Sequence, residues 1–217
     1  MDVIQAIEER RSARAYLDKP VGRDILERLV SLATRAPSAI NLQPWEFTVA
    51  SGEEKERLSR LLLRRMRERN VSCGPGARKP LPGYFVDRQR ELQECIVAEL
   101  QKEQASFQDF INEGSCSFYG APTAIIITID EAFSSGHLCD IGIVLGYLVL
   151  AAHALGLGTC PIGLISAFDD DIKEVLSISE QKRVVIGVAV GYPDPEASIN
   201  RARSQRVALS EVVRWRE

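Results

Sequence analysis

The longest apolar run of the chain, from Ile141 to Leu157, most restricts what the chain can fold into. It begins after Asp140, contains His153 and three glycines, and is slightly shorter than the roughly 20 residues that a membrane-spanning helix needs. We therefore predict a core helix and no membrane span. Gly156 and Gly158 permit positive φ angles and should end this helix in a tight turn.

Other segments predict a sheet and further helices around that core helix. Short β-branched runs predict strands, whereas apolar residues at helical spacing predict helices. The predicted strands cover Trp45–Ala50, Ala124–Ile129 and Val184–Val190. One predicted helix ends near Arg11, and a second begins at Asp24, a possible N-cap. A third helix covers Gly52–Asn70, and a fourth, short helix begins after a cap at Asp169–Asp171. With 217 residues, 45% of them hydrophobic, we expect one domain covering 1–217.

Charge and cysteine usage exclude several classes of protein. A net charge of −3 gives no basic excess for nucleic acid or an anionic membrane, so we expect neither as a partner. The arginine-rich helix over residues 52–70 also carries glutamates and is interpreted as a solvated face. Five widely spaced cysteines without a C-x-x-C pair indicate reduced thiols, and the N-terminus lacks a secretory pattern. We expect a cytoplasmic protein without a metal centre.

Two segments stand apart from the predicted core. A Gly- and Pro-rich stretch over residues 72–84 precedes a long polar helical stretch from about Phe85 to Asn112. We predict a lid or insertion over about 70–118. The tail from Ser198 to Glu217 has an apolar part too short to form its own core. It should therefore pack on this subunit or on a partner.

Arginines are concentrated near both ends of the chain. Arg10, Arg11, Ser12 and Arg14 lie within five residues, where guanidiniums and a hydroxyl could grip a phosphate. Arg201 and Arg203, with Arg206 close behind, would share one side of an extended segment. Taken alone, either group is better interpreted as solvated surface charge, because charge runs usually face water.

Two central loops offer different chemistry. Between two prolines, the stretch from Pro37 through Ser38, Ala39 and Asn41 to Pro44 supplies amide side chains able to read the edge of a flat heterocycle. An ordinary helix-to-strand loop is the alternative. After the core helix, a flat ring could lie against a backbone that Gly163 leaves unobstructed. That second loop consists of Pro161, Ile162, Gly163 and Leu164.

Neither histidine suggests metal or acid–base catalysis. His153 lies within the apolar run and reads as a core histidine, because no second histidine or carboxylate stands at metal-ligand spacing. His137 has no such partner either. We therefore predict no catalytic side chain.

Taken in order, four motifs resemble the nitroreductase family of FMN flavoproteins. They are Arg-Arg-Ser-x-Arg, Pro-Ser-x-x-Asn-x-Gln-Pro-Trp, Asp-x-Gly followed by Leu-Gly-Leu-Gly-Thr, and a closing Arg-x-Arg. The resemblance covers about residues 4–216 and is unclear only between about 70 and 118. It implies an α+β fold in which helices flank a central, mostly antiparallel sheet. It also implies an intertwined homodimer with FMN at the subunit interface.

The resemblance further implies roles for single residues. Arg10, Arg11 and Ser12 would contact the phosphate and ribityl groups, and Arg201 and Arg203 would complete the phosphate site. Arg14 would lie near the N1–O2 edge of the flavin. The stretch Pro37, Ser38, Ala39 and Asn41 would come from the other subunit, and the four residues from Pro161 to Leu164 would line the ring near N5.

The implied activity is an NAD(P)H-dependent FMN oxidoreductase with ping-pong turnover. Hydride would pass from NADH or NADPH to flavin N5, and electrons would then pass to a flat acceptor such as a nitroaromatic or a quinone. Flavin-destructase or reductive dehalogenase chemistry on the same fold is an alternative. A flavin-binding sensor or carrier without turnover is another.

Overall fold

The computed structural model describes residues 2–100 and 106–217, which form helices around one four-stranded sheet. The helices are α1 (Val3–Glu9), α2 (Arg23–Ala33), α3 (Gly52–Arg69), α4 (Gly83–Leu100), α5 (Phe107–Cys116), α6 (Leu138–Ala154), α7 (Asp169–Leu176) and α8 (Leu209–Val212). The strands are β1 (Trp45–Ser51), β2 (Thr123–Asp130), β3 (Gly158–Ile162) and β4 (Lys182–Gly191).

The sheet has the order β1-β2-β4-β3, and every neighbouring pair is antiparallel. The three predicted strands are confirmed as β1, β2 and β4. In β2 only the last residue, Asp130, is not buried, as expected for a central strand. The sequence reasoning did not predict β3, because its five residues include glycine and proline. Pro161 is tolerated there because β3 is an edge strand.

Two predicted helix caps are wrong. The cap before α2 is Gly22, and Asp24 lies inside the first turn. Before α7 the cap is Phe168, without a side-chain bond, while the Asp169 carboxylate accepts a hydrogen bond from the backbone N–H of Val184 on β4. In both helices the acidic residues still lie in the first turn, where their negative charge interacts favourably with the positive end of the helix dipole.

Two apolar layers cover the two faces of the sheet. Helices α2 and α6 supply one layer, in which Leu29, Val144 and Leu148 are fully buried. Helices α3 and α7 contribute to the other, which includes Leu58 and Ile172. Because adjacent residues of a strand point to opposite faces, the β2 isoleucines serve both layers.

Helix α6 is the predicted core helix, and one of its faces is not covered. Together with the preceding turn it spans Ser135–Ala154, long and apolar enough by length and composition to cross a membrane, although core helices meet the same criteria. One face packs in the α2 layer, while the Tyr147 side of the helix is exposed. The expected turn follows, with Gly156 at φ +77°, whereas Gly158 already belongs to β3.

The predicted lid region forms α4 and α5, and residues 101–105 of it lie outside the described part. Ile96 and Leu100 of α4 form a small buried cluster with Ile199 at the start of the tail. Beyond that cluster the tail leaves Leu209 and Trp215 65% and 78% exposed. Further along, the tail meets α4 through polar contacts, since Arg88 pairs with Glu211 at 3.5 Å and the Cys95 thiol lies 3.5 Å from the Arg203 carbonyl. The role of 70–118 as a lid stays a prediction.

Candidate functional site

The segment after α1 runs along the β3 edge of the sheet. Ser12 forms an isolated parallel bridge with Thr159, and the N–H of Ala13 donates to the Thr159 carbonyl at 2.9 Å. Gly158 allows this approach, because a Cβ there would lie only 2.7 Å from the Cβ of Ala13. The side chains predicted to grip a phosphate are thus carried by a segment whose backbone is fixed to β3.

A buried amide holds the same segment from the other side. Asn200 is 8% exposed, and its Oδ1 accepts from the N–H groups of Arg14 at 2.8 Å and Ala15 at 3.3 Å. Its Nδ2 donates to the carbonyls of Ala15 at 2.8 Å and Asp194 at 2.9 Å. Because Arg201 follows directly, this contact joins the two ends of the chain at one place.

The guanidiniums of Arg10 and Arg206, from the two ends of the chain, repel each other at this place. Burial lowers the pKa of Arg10, and the positive charge of Arg206 lowers it further. The Arg206 guanidinium donates to the carbonyl and hydroxyl of Ser204, which fold it back onto its own loop. An anion bound near both arginines would relieve their repulsion.

The arginines at this site have no carboxylate partners in the described part of the chain, in contrast to those of α3. On α3, arginines pair with glutamates or with Asp171, as expected for a solvated face. Within residues 2–100 and 106–217 no ion pair involves Arg10, Arg11, Arg14, Arg201, Arg203 or Arg206. Unneutralised positive charge from both ends of the chain is therefore available for an anionic ligand.

Arg14 also presents an unused donor. Its Nε is buried without a hydrogen-bond partner in the described part of the chain, and its guanidinium carbon lies 5.9 Å from the centre of the Tyr119 ring. Burial raises the pKa values of the neighbouring Cys160 thiol and Tyr119 hydroxyl. Both groups are neutral at pH 7, so the site offers donors and positive charge but no activated nucleophile.

The loop predicted to read a heterocycle has a strained backbone. Ile40, Asn41 and Gln43 all have positive φ angles, of 42°, 62° and 48°. Ser38 accepts a hydrogen bond from the Gln43 N–H at 2.9 Å, and the Ile40 side chain is 90% exposed. Non-glycine residues rarely adopt this conformation, and such strain is concentrated at functional sites.

The backbone after β3 is open, as the sequence predicted. Gly163 is exposed, and a Cβ there would have no neighbour within 4 Å. Its carbonyl accepts from the N–H and the hydroxyl of Ser166, which starts the next turn. Pro161 and Leu164 are half-buried and Ile162 is buried. A planar group could approach this backbone without moving a side chain.

The two halves of the predicted site are far apart within one chain. The loop ends at Trp45, the first residue of edge strand β1, whereas Ser12 lies beside the opposite edge strand, β3. Strand pairing aligns Thr159 through β4 and β2 with Ser51, at the far end of β1. Because the Ser12 segment lies one strand spacing beyond β3, the two halves are about 19 Å apart across the sheet and about 20 Å apart along it.

The sequence assigned no role to three residues of this arrangement. Asn200 was not singled out at all, whereas Asp140 was noted only as the first residue of the Asp-x-Gly motif and Arg206 only as a neighbour of the tail motif. The Asn200 amide accepts a hydrogen bond from the N–H of Arg14, and the Asp140 carboxylate accepts one from the N–H of Ala39. Only the fold brings these groups to their partners.

The sequence of the chain matches known proteins over nearly its whole length. The model of the nitroreductase family matches residues 7–192. A 4-nitrobenzoate reductase from Pseudomonas putida is 31% identical over 94% of this chain and 91% of that protein. The nitroreductase NfnB from Mycolicibacterium smegmatis is 30% identical over 99% of this chain and 94% of that protein.

Solved structures also match this chain over its whole length. The FMN-dependent nitroreductase NfnB from Mycobacterium smegmatis, in complex with NADPH, has a TM-score of 0.88 at 30% identity. The FMN- and NADPH-dependent NfnB from sphigopyxis sp. strain HMH has a TM-score of 0.91 at 27% identity. Both comparisons cover 100% of each chain. The α+β fold with a central antiparallel sheet, implied by the four motifs, is confirmed.

Proposed function

This chain belongs to the nitroreductase family, and we propose that it is an FMN-dependent oxidoreductase using NADH or NADPH to reduce a flat acceptor such as a nitroaromatic or a quinone. The convergence of arginines from both ends of the chain, which form no ion pair with its described residues, carries this proposal. The names of the relatives support it, since they include 4-nitrobenzoate, chloronitrobenzene and nitrobenzene reductases. Structural neighbours described as FMN-dependent supply the cofactor class.

The residues present fit FMN. The Arg14 Nε is buried without a partner in the described part of the chain, and Arg10 and Arg206 lack a counterion there. Arg10, Arg11, Ser12, Arg201 and Arg203 would hold the phosphate and ribityl groups, with Arg206 beside them. When bound, FMN supplies the redox chemistry, in which N5 accepts a hydride from the nicotinamide and the acceptor is then reduced.

The chain's own residues would bind, orient and stabilise charge. Arg14 would keep a fixed positive charge at the N1–O2 edge, where preorganised donors are most effective. Gly163 would leave the ring face open, with Pro161, Ile162 and Leu164 around it. Pro37, Ser38, Ala39 and Asn41 of the partner subunit would contact the ring edge.

A homodimer would explain both the divided site and the exposed apolar surfaces. The two halves of the site lie at opposite edges of the sheet, so one flavin would draw them from different subunits. Val3, Ile4 and Ile7 on α1 are each more than half exposed, as are Leu209 and Trp215 in the tail. These surfaces would be buried between the subunits.

The first experiment is reconstitution of the purified protein with FMN, followed by anaerobic addition of NADPH or NADH. We expect a yellow protein whose band at roughly 450 nm is bleached by a nicotinamide and restored by 4-nitrobenzoate or a quinone. A colourless protein that FMN does not reconstitute would contradict the proposal. A bound flavin that neither nicotinamide reduces would instead identify a carrier.

A complementation experiment tests the divided site. One variant carries Arg10→Ala and Arg14→Ala, and the other carries Ser38→Ala and Asn41→Ala; each homodimer should lose FMN. Heterodimers, isolated with two affinity tags, have one site with both defects and one intact site. We expect them to bind one FMN per dimer. If they bind none, both halves of the site come from one chain.

A further inference from the structure

Something must hold the loop over residues 38–43 in its unfavourable conformation. Ile40, Asn41 and Gln43 all have left-handed backbones, and Ile40 is β-branched, which makes that conformation especially rare. The Ile40 side chain is 90% exposed, so packing against the described part of the subunit does not offset this cost. The stabilising contacts must therefore act on the loop backbone.

One buried carboxylate reaches that backbone from α6. Asp140 Oδ1 accepts a hydrogen bond from the N–H of Ala39 at 3.1 Å. Its other oxygen, Oδ2, lies 2.9 Å from Nδ1 of His137, one turn away, and the Asp140 side chain is 8% exposed. The His137 ring in turn packs edge-on against Phe133, with ring centres 4.9 Å apart. Both oxygens of the carboxylate are thus engaged, and its orientation is fixed.

The pKa of Asp140 is consistent with this arrangement. The hydrogen bond with His137 lowers the pKa of the carboxyl most, and the Ala39 N–H lowers it further against the opposing effect of burial. The group is therefore ionised at neutral pH. An ionised carboxylate makes a stronger hydrogen bond to a backbone N–H than a neutral acceptor does.

We propose that Asp140, oriented by His137, is a positioning residue that holds the loop over residues 38–43 in its left-handed conformation for the flavin of the other subunit. The proposal rests on the proposed function, because it assigns that loop to the flavin. Asp140 acts through Ala39 and touches no reacting atom. A loop that already has its bound conformation would not lose conformational freedom when FMN binds. Its affinity for FMN would therefore be higher than that of a loop that must first become ordered.

A purely structural role makes a different prediction. Asp140 lies in the first turn of α6, where a carboxylate stabilises any helix through its dipole. Asp24 occupies the corresponding turn of α2 and makes no hydrogen bond to a loop in the described part of the chain. Asp24→Ala is therefore a matched control for the helix effect alone.

The test compares Asp140→Ala and Asp24→Ala in the full-length protein. FMN affinity is measured by quenching of flavin fluorescence, and amide exchange over residues 38–43 is measured without FMN. We expect Asp140→Ala to weaken FMN binding by about tenfold, from loss of one charged hydrogen bond, and to speed exchange at Ala39 and Gln43. Asp24→Ala should change neither.

A rescue variant separates loop positioning from general destabilisation. Asn tolerates positive φ better than Ile, so Ile40→Asn should make the loop less dependent on its anchor. In the Asp140→Ala background, Ile40→Asn should recover part of the lost affinity. Affinity and exchange unchanged in Asp140→Ala would overturn the positioning role alone. A wild-type protein that binds no FMN would overturn the proposed function, and this inference with it.

Discussion

Asn200 pairs with both backbone groups of Ala15, so that one side chain imitates a strand neighbour. Its Oδ1 accepts from the Ala15 N–H at 3.3 Å, and its Nδ2 donates to the Ala15 carbonyl at 2.8 Å. The two residues are 185 positions apart in the chain. Ala15 immediately follows Arg14, so this pairing fixes the backbone that carries the N-terminal arginines relative to the tail.

Asn200→Ala should therefore weaken both the fold and the site. Without the Asn200 amide, the N–H of Arg14 and the carbonyls of Ala15 and Asp194 lose a hydrogen-bond partner. We therefore expect the free energy of unfolding to fall by about 2–3 kcal/mol. Denaturant unfolding measures that loss, and a titration should show weaker FMN binding. Asn112→Ala is the control: it removes a more exposed amide and should lower the free energy of unfolding by less than Asn200→Ala does. Equal losses would show that the pairing has no special role.

Two glycines of the β3 region should respond differently to alanine. A Cβ at Gly158 would meet Ala13 at 2.7 Å and Pro193 at 3.1 Å, so Gly158→Ala should destabilise the protein by about 1–3 kcal/mol. Gly163→Ala has open space and should leave the thermal midpoint without FMN unchanged, yet weaken FMN binding by obstructing the ring. Unchanged FMN affinity in Gly163→Ala would remove this backbone from the site.

Local pattern predicted much of the fold. The strands β1, β2 and β4 and the helices α3 and α6 follow from β-branched runs and helical spacing, which depend on residues close in sequence. Edge strand β3 was missed because Gly158 and Pro161 disfavour strands, and its pairing with β4 decides otherwise. The same holds for the cap predicted before α7, because the Asp169 carboxylate accepts a hydrogen bond from the N–H of Val184 on β4.

The site was only partly predictable, for a related reason. Runs such as Arg10 to Arg14 can be recognised because their chemistry is concentrated in a few residues. Asn200 and Asp140 bind backbone groups 185 and 101 positions away. Nothing near Asn200 in the sequence identifies it, and the Asp-x-Gly motif contains Asp140 without indicating its partner on the loop. The folded chain identifies both, because each is buried with its hydrogen bonds directed at a predicted site segment.

The cysteines should differ sharply in reactivity. Burial, with a smaller contribution from Glu113, raises the pKa of Cys116 to about 12, so at pH 8 only about one thiol in ten thousand would be ionised. Cys73 is exposed. We expect iodoacetamide at pH 8 to modify Cys73 and spare Cys116 until denaturant is added, as counted by mass spectrometry of peptides. Rapid modification of native Cys116 would contradict its burial.

Arg14→Ala should lower the reduction potential of bound FMN. If Arg14 keeps its charge at the N1–O2 edge, removing it destabilises the more negative reduced flavin relative to the oxidised form. A loss of about 1.4 kcal/mol corresponds to about 30 mV for two electrons. Dye-coupled titration measures the shift, and Arg23→Ala, which removes a surface arginine paired with Glu27, is the control. An unchanged potential would place Arg14 elsewhere in the site.

Arg203→Ala and Arg206→Ala together test which tail arginine meets the phosphate. The tail motif predicts that Arg203→Ala lowers FMN affinity by roughly one to two orders of magnitude, from loss of a charged hydrogen bond. The charge of Arg206 acts on Arg10, so Arg206→Ala should cause a comparable loss. FMN titrations at increasing salt concentration give a second measurement. The affinity of a variant that has lost a phosphate contact should depend less on salt, because the variant has one charge pair fewer for salt to screen. If only Arg206→Ala weakens binding, the phosphate contact lies three residues later in the tail than the motif predicts.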